Sequence, residues 1–123
     1  MNEKILIVDD RQNIRQSVCR CLEINGYRTA QAVNGRQAVE MANQGDVALI
    51  LMDVVMPEMT GPAAAARIRE DNADMPIIHM SSYNSELTGI SVDRESFLAK
   101  PFEVEELLRE IKNLLSPVGA AAY

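Results

Sequence analysis

The stretch Val47-Ala48-Leu49-Ile50-Leu51-Met52 constrains this chain more than any other, because it is uninterruptedly apolar and runs directly into Asp53. It is far too short to cross a bilayer, and a run of this kind fits a strand buried on both faces of a sheet. Pro57 follows closely and prevents simple continuation into a helix. A strand covered on both sides needs helices on both sides, which calls for a parallel α/β sheet. In such sheets ligands collect beyond the carboxyl ends of the strands, where Asp53 stands. Alone, Asp53 would read as a turn residue. What the other strands end in decides its meaning.

Lys4-Ile5-Leu6-Ile7-Val8 is a short β-branched run that ends in Asp9-Asp10. Ile14, Val18, Cys21 and Leu22 recur at helical spacing and predict an amphipathic helix, which Asn25-Gly26 stops. Tyr27 to Val33 predicts a weaker second strand closed by Asn34-Gly35, and Ala38, Met41 and Ala42 carry a second helix as far as Gly45. Past the Asp53 strand, Thr60 is a candidate N-cap, with Pro62 in the first turn and Ala63 to Ala66 packing close to the sheet. Pro76 to Met80 predicts a fourth strand ending in Ser81-Ser82, and Phe97-Leu98-Ala99 a fifth ending in Lys100-Pro101. Between them Tyr83 to Ser91 is rich in Ser, Asn, Thr and Gly, so the fourth helix is expected to be short or poorly formed. Val104, Leu107, Leu108, Ile111, Leu114 and Leu115 give the clearest helix, stopped at Pro117. Strand and helix alternate five times, which predicts a doubly wound five-stranded parallel sheet with helices on both faces.

With 123 residues the chain is one domain, expected over 1–116, with 117–123 as a tail or linker stub. A formal net charge of −6 argues against direct binding to nucleic acid or anionic membrane and suits a cationic partner or a divalent metal. No apolar run reaches membrane-spanning length and the N-terminus lacks a signal-peptide core, so a cytoplasmic location is expected. Cys19 and Cys21 would point about 200° apart on a helix and are expected to be free thiols, with Cys21 on the apolar stripe and Cys19 off it.

Polar groups thus end four strands: Asp9 and Asp10, Asp53, Ser81, and Lys100. The sheet brings all of these ends to one edge. Singly, each has a bland explanation as a cap, a turn residue or a solvated lysine; together they converge on one place. Three crowded carboxylates need compensating charge. Mg²⁺, which takes carboxylates, water and phosphate oxygens, meets that need, and Lys100 can balance the remainder. A carboxylate in this setting is suited to attack a phosphoryl group and hold it as an acyl phosphate.

In these features the chain resembles the receiver domain of two-component response regulators. The resemblance rests on Ile5-Leu6-Ile7-Val8-Asp9-Asp10, on Leu51-Met52-Asp53-Val54-Val55-Met56-Pro57 with Gly61, on Ile78-His79-Met80-Ser81, and on Phe97-Leu98-Ala99-Lys100-Pro101-Phe102. It implies that Asp53 is the phosphoacceptor and that Asp9, Asp10 and the Val55 carbonyl hold Mg²⁺ with it. Ser81 would be the switch hydroxyl, Lys100 the counter-ion, Phe97 the switch aromatic, and Lys100-Pro101 a cis peptide. The implied partners are a sensor histidine kinase or histidine phosphotransferase and an output domain or downstream protein; a phosphorylation-dependent dimer is compatible with this. Val55 and Tyr83 would flank the approach of hydrolytic water, and neither can orient it, so a long-lived phosphoryl group is expected. The chain departs from the family between Ser81 and Lys100, which is short and carries Val92 to Ser96 in place of the usual Ala-Gly-Ala segment.

Three alternatives fit less well. An Asp-nucleophile hydrolase of the dehalogenase type needs a second acid where Val55 stands; a degenerate receiver would lack acceptor residues that are all present here. A flavodoxin-like nucleotide binder needs a Gly-rich loop where Asp9-Asp10-Arg11-Gln12 stands. His79 has no second ligand at metal spacing and reads as a core or helix-facing histidine. Met56, Met59, Met75 and Met80 read as gap-filling.

Overall fold

The computed structural model describes residues 3–81 and 94–115. Strands β1 (Lys4–Val8), β2 (Arg28–Ala32), β3 (Val47–Asp53), β4 (Ile77–Ser81) and β5 (Glu95–Ala99) form one sheet in the order β2-β1-β3-β4-β5, with every pairing parallel. Helices α1 (Gln12–Ile24), α2 (Gly35–Ala42), α3 (Gly61–Asp71) and α4 (Val104–Leu115) complete the described elements. The expected fourth helix, at Tyr83 to Ser91, and the expected tail, 117–123, lie outside the described residues. Two cores confirm the double winding. Leu6, Val8, Ile50, Met52 and Ile77 pack with α2 and α3, while Ile5, Ile7, Leu49, Leu51, Ile78 and Met80 pack with α1 and α4. Alternate residues of each strand thus feed opposite layers, which is why β3 has to be apolar throughout.

The start of α3 is as the sequence predicts, while Asn34, expected only as a turn residue, serves as a helix cap. The Thr60 hydroxyl accepts the Ala63 N–H at 3.3 Å, and Pro62 sits in the first turn of α3. Asn34 caps α2 through Gln37 N–H at 2.8 Å. The two cysteines are free, but their placement reverses the expectation: Cys19 is buried and Cys21 only partly so. Helix α1 is rotated so that Arg15 reaches the Gln31 side chain at 3.1 Å and Cys19 faces Thr29 of β2. An edge strand with polar side chains draws a mixed face of the helix inward, which apolar periodicity alone does not register. β5 begins at Glu95, two residues before the apolar run, so Glu95 and Ser96 belong to the sheet.

Candidate functional site

Strand register assembles the site. Val8 pairs with Met52, Asp53 with Met80, and Ser81 with Ala99, so Asp9, Asp53, Ser81 and Lys100 all come to the carboxyl edge. The strand order reverses at β1 and β3, which carry Asp9 and Asp53. That reversal is where the crevice of an open α/β sheet lies. Backbone bonds fix the ends: Asp9 N–H donates to Ala32 O at 3.3 Å, Val54 N–H to Met80 O at 2.9 Å, and Lys100 N–H to Ser81 O at 2.6 Å. Lys100-Pro101 is cis, as the resemblance implied. Gly61 locks the loop after Asp53: its N–H reaches Val54 O at 2.8 Å, and a Cβ there would fall 2.5 Å from the Asp53 carbonyl oxygen. No side chain larger than hydrogen fits between α3 and the end of β3.

Asp9 is fully buried and Asp53 nearly so, while Asp10 is exposed. One oxygen from each of the three lies within 4.8 Å of the others. Lys100 Nζ stands between the two buried acids, 3.3 Å from Asp9 Oδ2 and 3.5 Å from Asp53 Oδ1. Burial raises the Asp53 carboxyl above its ordinary value; Lys100 and Arg11 oppose the rise, and Asp9 adds to it. The donor set therefore has hard oxygens, excess negative charge and one exposed side, which fits a hard divalent cation.

Arg11 was not singled out by sequence reasoning. Its backbone N–H and Nε reach Asp9 Oδ1 at 2.9 and 3.3 Å, and Nη2 lies 3.8 Å from Asp53 Oδ2. Those contacts hold the guanidinium above its ordinary pKa, the hydrogen bond to Asp9 first. The available signal was its position directly after Asp9-Asp10; in the structure it stands at the N-cap of α1 and makes no side-chain cap bond.

Ser81 is buried at the end of β4, and Phe97 is half-buried two residues before Ala99 on the neighbouring strand. His79 is wholly buried, as expected, and stacks on Phe97 with centroids 4.7 Å apart at 18°. Its Nε2 lies 2.9 Å from Glu95 Oε1, and Glu95 Oε2 accepts from Arg69 Nε at 2.8 Å. Val55 is exposed on the loop after β3, and Tyr83 lies outside the described residues. Beside the site a groove of about 430 Å³ is bordered by Arg11, Ile14, Val18, Met80, Lys100 and Phe102. Met56 and Met75 are core residues packed on α2 and α3, and Met80 lies in the opposite layer.

A family model for the response regulator receiver domain matches residues 5–112. Response regulator MprA of Mycobacterium ulcerans is 33% identical over 118 residues, which cover 94% of this chain and 51% of MprA. The uncharacterized transcriptional regulatory protein YkoG of Bacillus subtilis is 32% identical over 118 residues, 94% of this chain and 52% of YkoG. The chain thus spans about half the length of these curated relatives. Among solved structures, TrrA of Thermotoga maritima in complex with Mg²⁺-BeF is similar with a TM-score of 0.83 and 32% identity, covering 94% of this chain and all 100% of that one. CheY4 of Vibrio cholerae is similar at 0.82 and 31% identity, covering 94% and 100%.

Proposed function

The chain belongs to the response regulator receiver domain family, and from that premise we propose that Asp53 is its phosphoacceptor. The observation that carries this reading is the pair of buried carboxylates, Asp9 and Asp53, bridged by Lys100 with Asp10 beside them. Asp9, Asp10, Asp53 and the Val55 carbonyl are the groups that would hold Mg²⁺. When bound, the metal would neutralise charge on the phosphoryl oxygens. In the transfer itself an Asp53 carboxylate oxygen attacks phosphorus, the P–N bond to the donor histidine breaks, and the imidazole leaves with its electron pair. Lys100, already 3.5 Å from Asp53 Oδ1, pairs with the new phosphoryl oxygens. The Ser81 hydroxyl bonds them as well, and Phe97 relays the change by leaving its stack on His79.

The donor is a protein histidine, on a sensor kinase or a phosphotransferase. The groove beside Lys100 offers Ile14, Val18, Met80 and Phe102 as an apolar seat for a partner helix. The chain is a signalling phosphoacceptor rather than an enzyme with a separate substrate, and its place is cytoplasmic. Among the described residues no helix is long and apolar enough to cross a membrane. Residues 1–116 are the receiver and 117–123 its tail or linker stub, and an output domain or a downstream protein takes up the signal. Phosphoryl loss is slow because exposed, apolar Val55 cannot orient water.

Incubation with acetyl phosphate and Mg²⁺ should phosphorylate the wild type and leave Asp53→Asn unmodified by intact-mass measurement. Equal modification of both proteins would remove Asp53 from this role.

A further inference from the structure

Four carboxylate oxygens belong to the two buried acids, and each lies near a cationic nitrogen. Lys100 takes Asp9 Oδ2 and Asp53 Oδ1; Arg11 takes Asp9 Oδ1 and Asp53 Oδ2. A divalent cation that ligates either acid must therefore share an oxygen with one of these side chains or displace it. The two are not equally placed to leave. The Lys100 side chain is 15% exposed and the Arg11 side chain 47% exposed. Arg11 can swing its guanidinium into water at small solvation cost, whereas Lys100 is confined between the acids.

We propose that Arg11 is a built-in counter-cation that competes with the divalent metal for Asp9 and Asp53, setting how tightly this receiver binds Mg²⁺. The inference rests on the reading of the acids as a metal-dependent phosphoacceptor site. Asp9, Asp10 and Asp53 carry three negative charges against the two positive ones of Lys100 and Arg11, which leaves one charge uncompensated. Removing Arg11 leaves two uncompensated, so the site draws a cation more strongly. Arg11 makes no side-chain cap bond to α1, so its replacement does not disturb the helix start.

Arg11→Met keeps the length of the side chain and removes its charge. Isothermal titration with Mg²⁺ should show binding about fivefold tighter than in the wild type, the scale of two half-exposed ion pairs lost as competitors. Arg11→Lys, which keeps the charge, should bind close to the wild type. In melts taken in chelator, Arg11→Met should unfold at lower temperature than the wild type, and added Mg²⁺ should stabilise it by the larger increment. Binding by Arg11→Met that is equal to or weaker than wild type overturns the proposal. So does equal tightening in both variants, which would make the effect steric. If the wild type shows no Mg²⁺ binding that Asp10→Ala removes, the metal site itself fails, and Arg11's role with it.

Discussion

Two clusters of titratable groups stand on this sheet, and they are settled in opposite ways. At the carboxyl edge three acids face two cations, and Asp53 is pushed above its ordinary pKa by burial. Toward the other end, Glu95 sits between Arg69 and a neutral His79, and its carboxyl is held below its ordinary value. Burial alone would raise Glu95; the hydrogen bonds from His79 and Arg69, together with the Arg69 charge, outweigh it. Arg69 also donates to Ala73 O at 2.7 Å and Arg94 O at 2.9 Å, so it ties α3 to the start of β5. The first cluster carries charge it has not compensated, and the second has compensated its own. An uncompensated cluster can change state when a ligand arrives, while a compensated one fixes the frame in which that happens.

Removing a surplus carboxylate from the first cluster and a compensating cation from the second should therefore move stability in opposite directions. The largest effect is expected at Arg69. Arg69→Met removes this cation from Glu95 and takes one donor each from Ala73 O and Arg94 O, the latter keeping the Ile77 N–H. The loss should be about 2 kcal/mol in urea unfolding, below the full cost of breaking a buried pair because both side chains keep some exposure. A loss below about 0.5 kcal/mol, the range of ordinary surface substitutions, would show that the Glu95 cluster is not the self-compensated one.

Asp53→Asn should act with the opposite sign and a smaller size. It removes one of three crowded negative charges, and it removes the burial cost of a carboxylate whose pKa is raised. In chelator the variant should melt about 3 °C higher than the wild type, the shift expected for a gain below 1 kcal/mol in a domain this size. Mg²⁺ should narrow the difference, because the wild type alone then has its charge balanced. A variant that melts lower than the wild type would mean that Lys100 and Arg11 already satisfy the acids in full.

The uncompensated cluster was the legible one. Asp9, Asp10, Asp53, Ser81 and Lys100 each end an apolar run, and parallel topology sends every such end to one edge, so adjacency follows from pattern. The compensated cluster depends on register. Arg69 and Glu95 meet only because Glu95 pairs with Ile77 at the start of β5, and the sequence places Glu95 in an irregular segment before that strand. Arg11 was passed over for a related reason. A cation after two acids speaks against a phosphate loop, and its reach to Asp53 follows from the pairing of β1 with β3. Cys19 and Cys21 exchanged places because hydropathy does not record that β2 offers Thr29 and Gln31 to α1.

The smallest expected effect is a pH dependence that separates the clusters. Burial lowers the His79 pKa below 6.5, with the Glu95 hydrogen bond opposing. The unfolded chain therefore takes up a proton near pH 6.5 that the native protein refuses until lower pH, so native stability falls as pH drops through that window. Glu95 works in the same direction further down: its stabilising contribution is present above its unfolded value of 4.5 and is lost as pH falls through its lower folded value. Asp53 has the reverse sign. Its raised folded pKa lets the native state protonate first, so acid relieves it and adds stability as pH falls toward 3.8. The two groups thus carry opposite signs, and the Asp53→Asn background leaves His79 without the Asp53 contribution. In that background urea unfolding at pH 7.5 and 5.5 should differ by roughly a few tenths of a kcal/mol, the scale of one partly compensated protonation. Adding His79→Met should remove most of the difference, because methionine fills the buried position beside Phe97 without a titrating group. A difference that survives the second substitution unchanged would assign the slope to another group and leave His79 as packing alone.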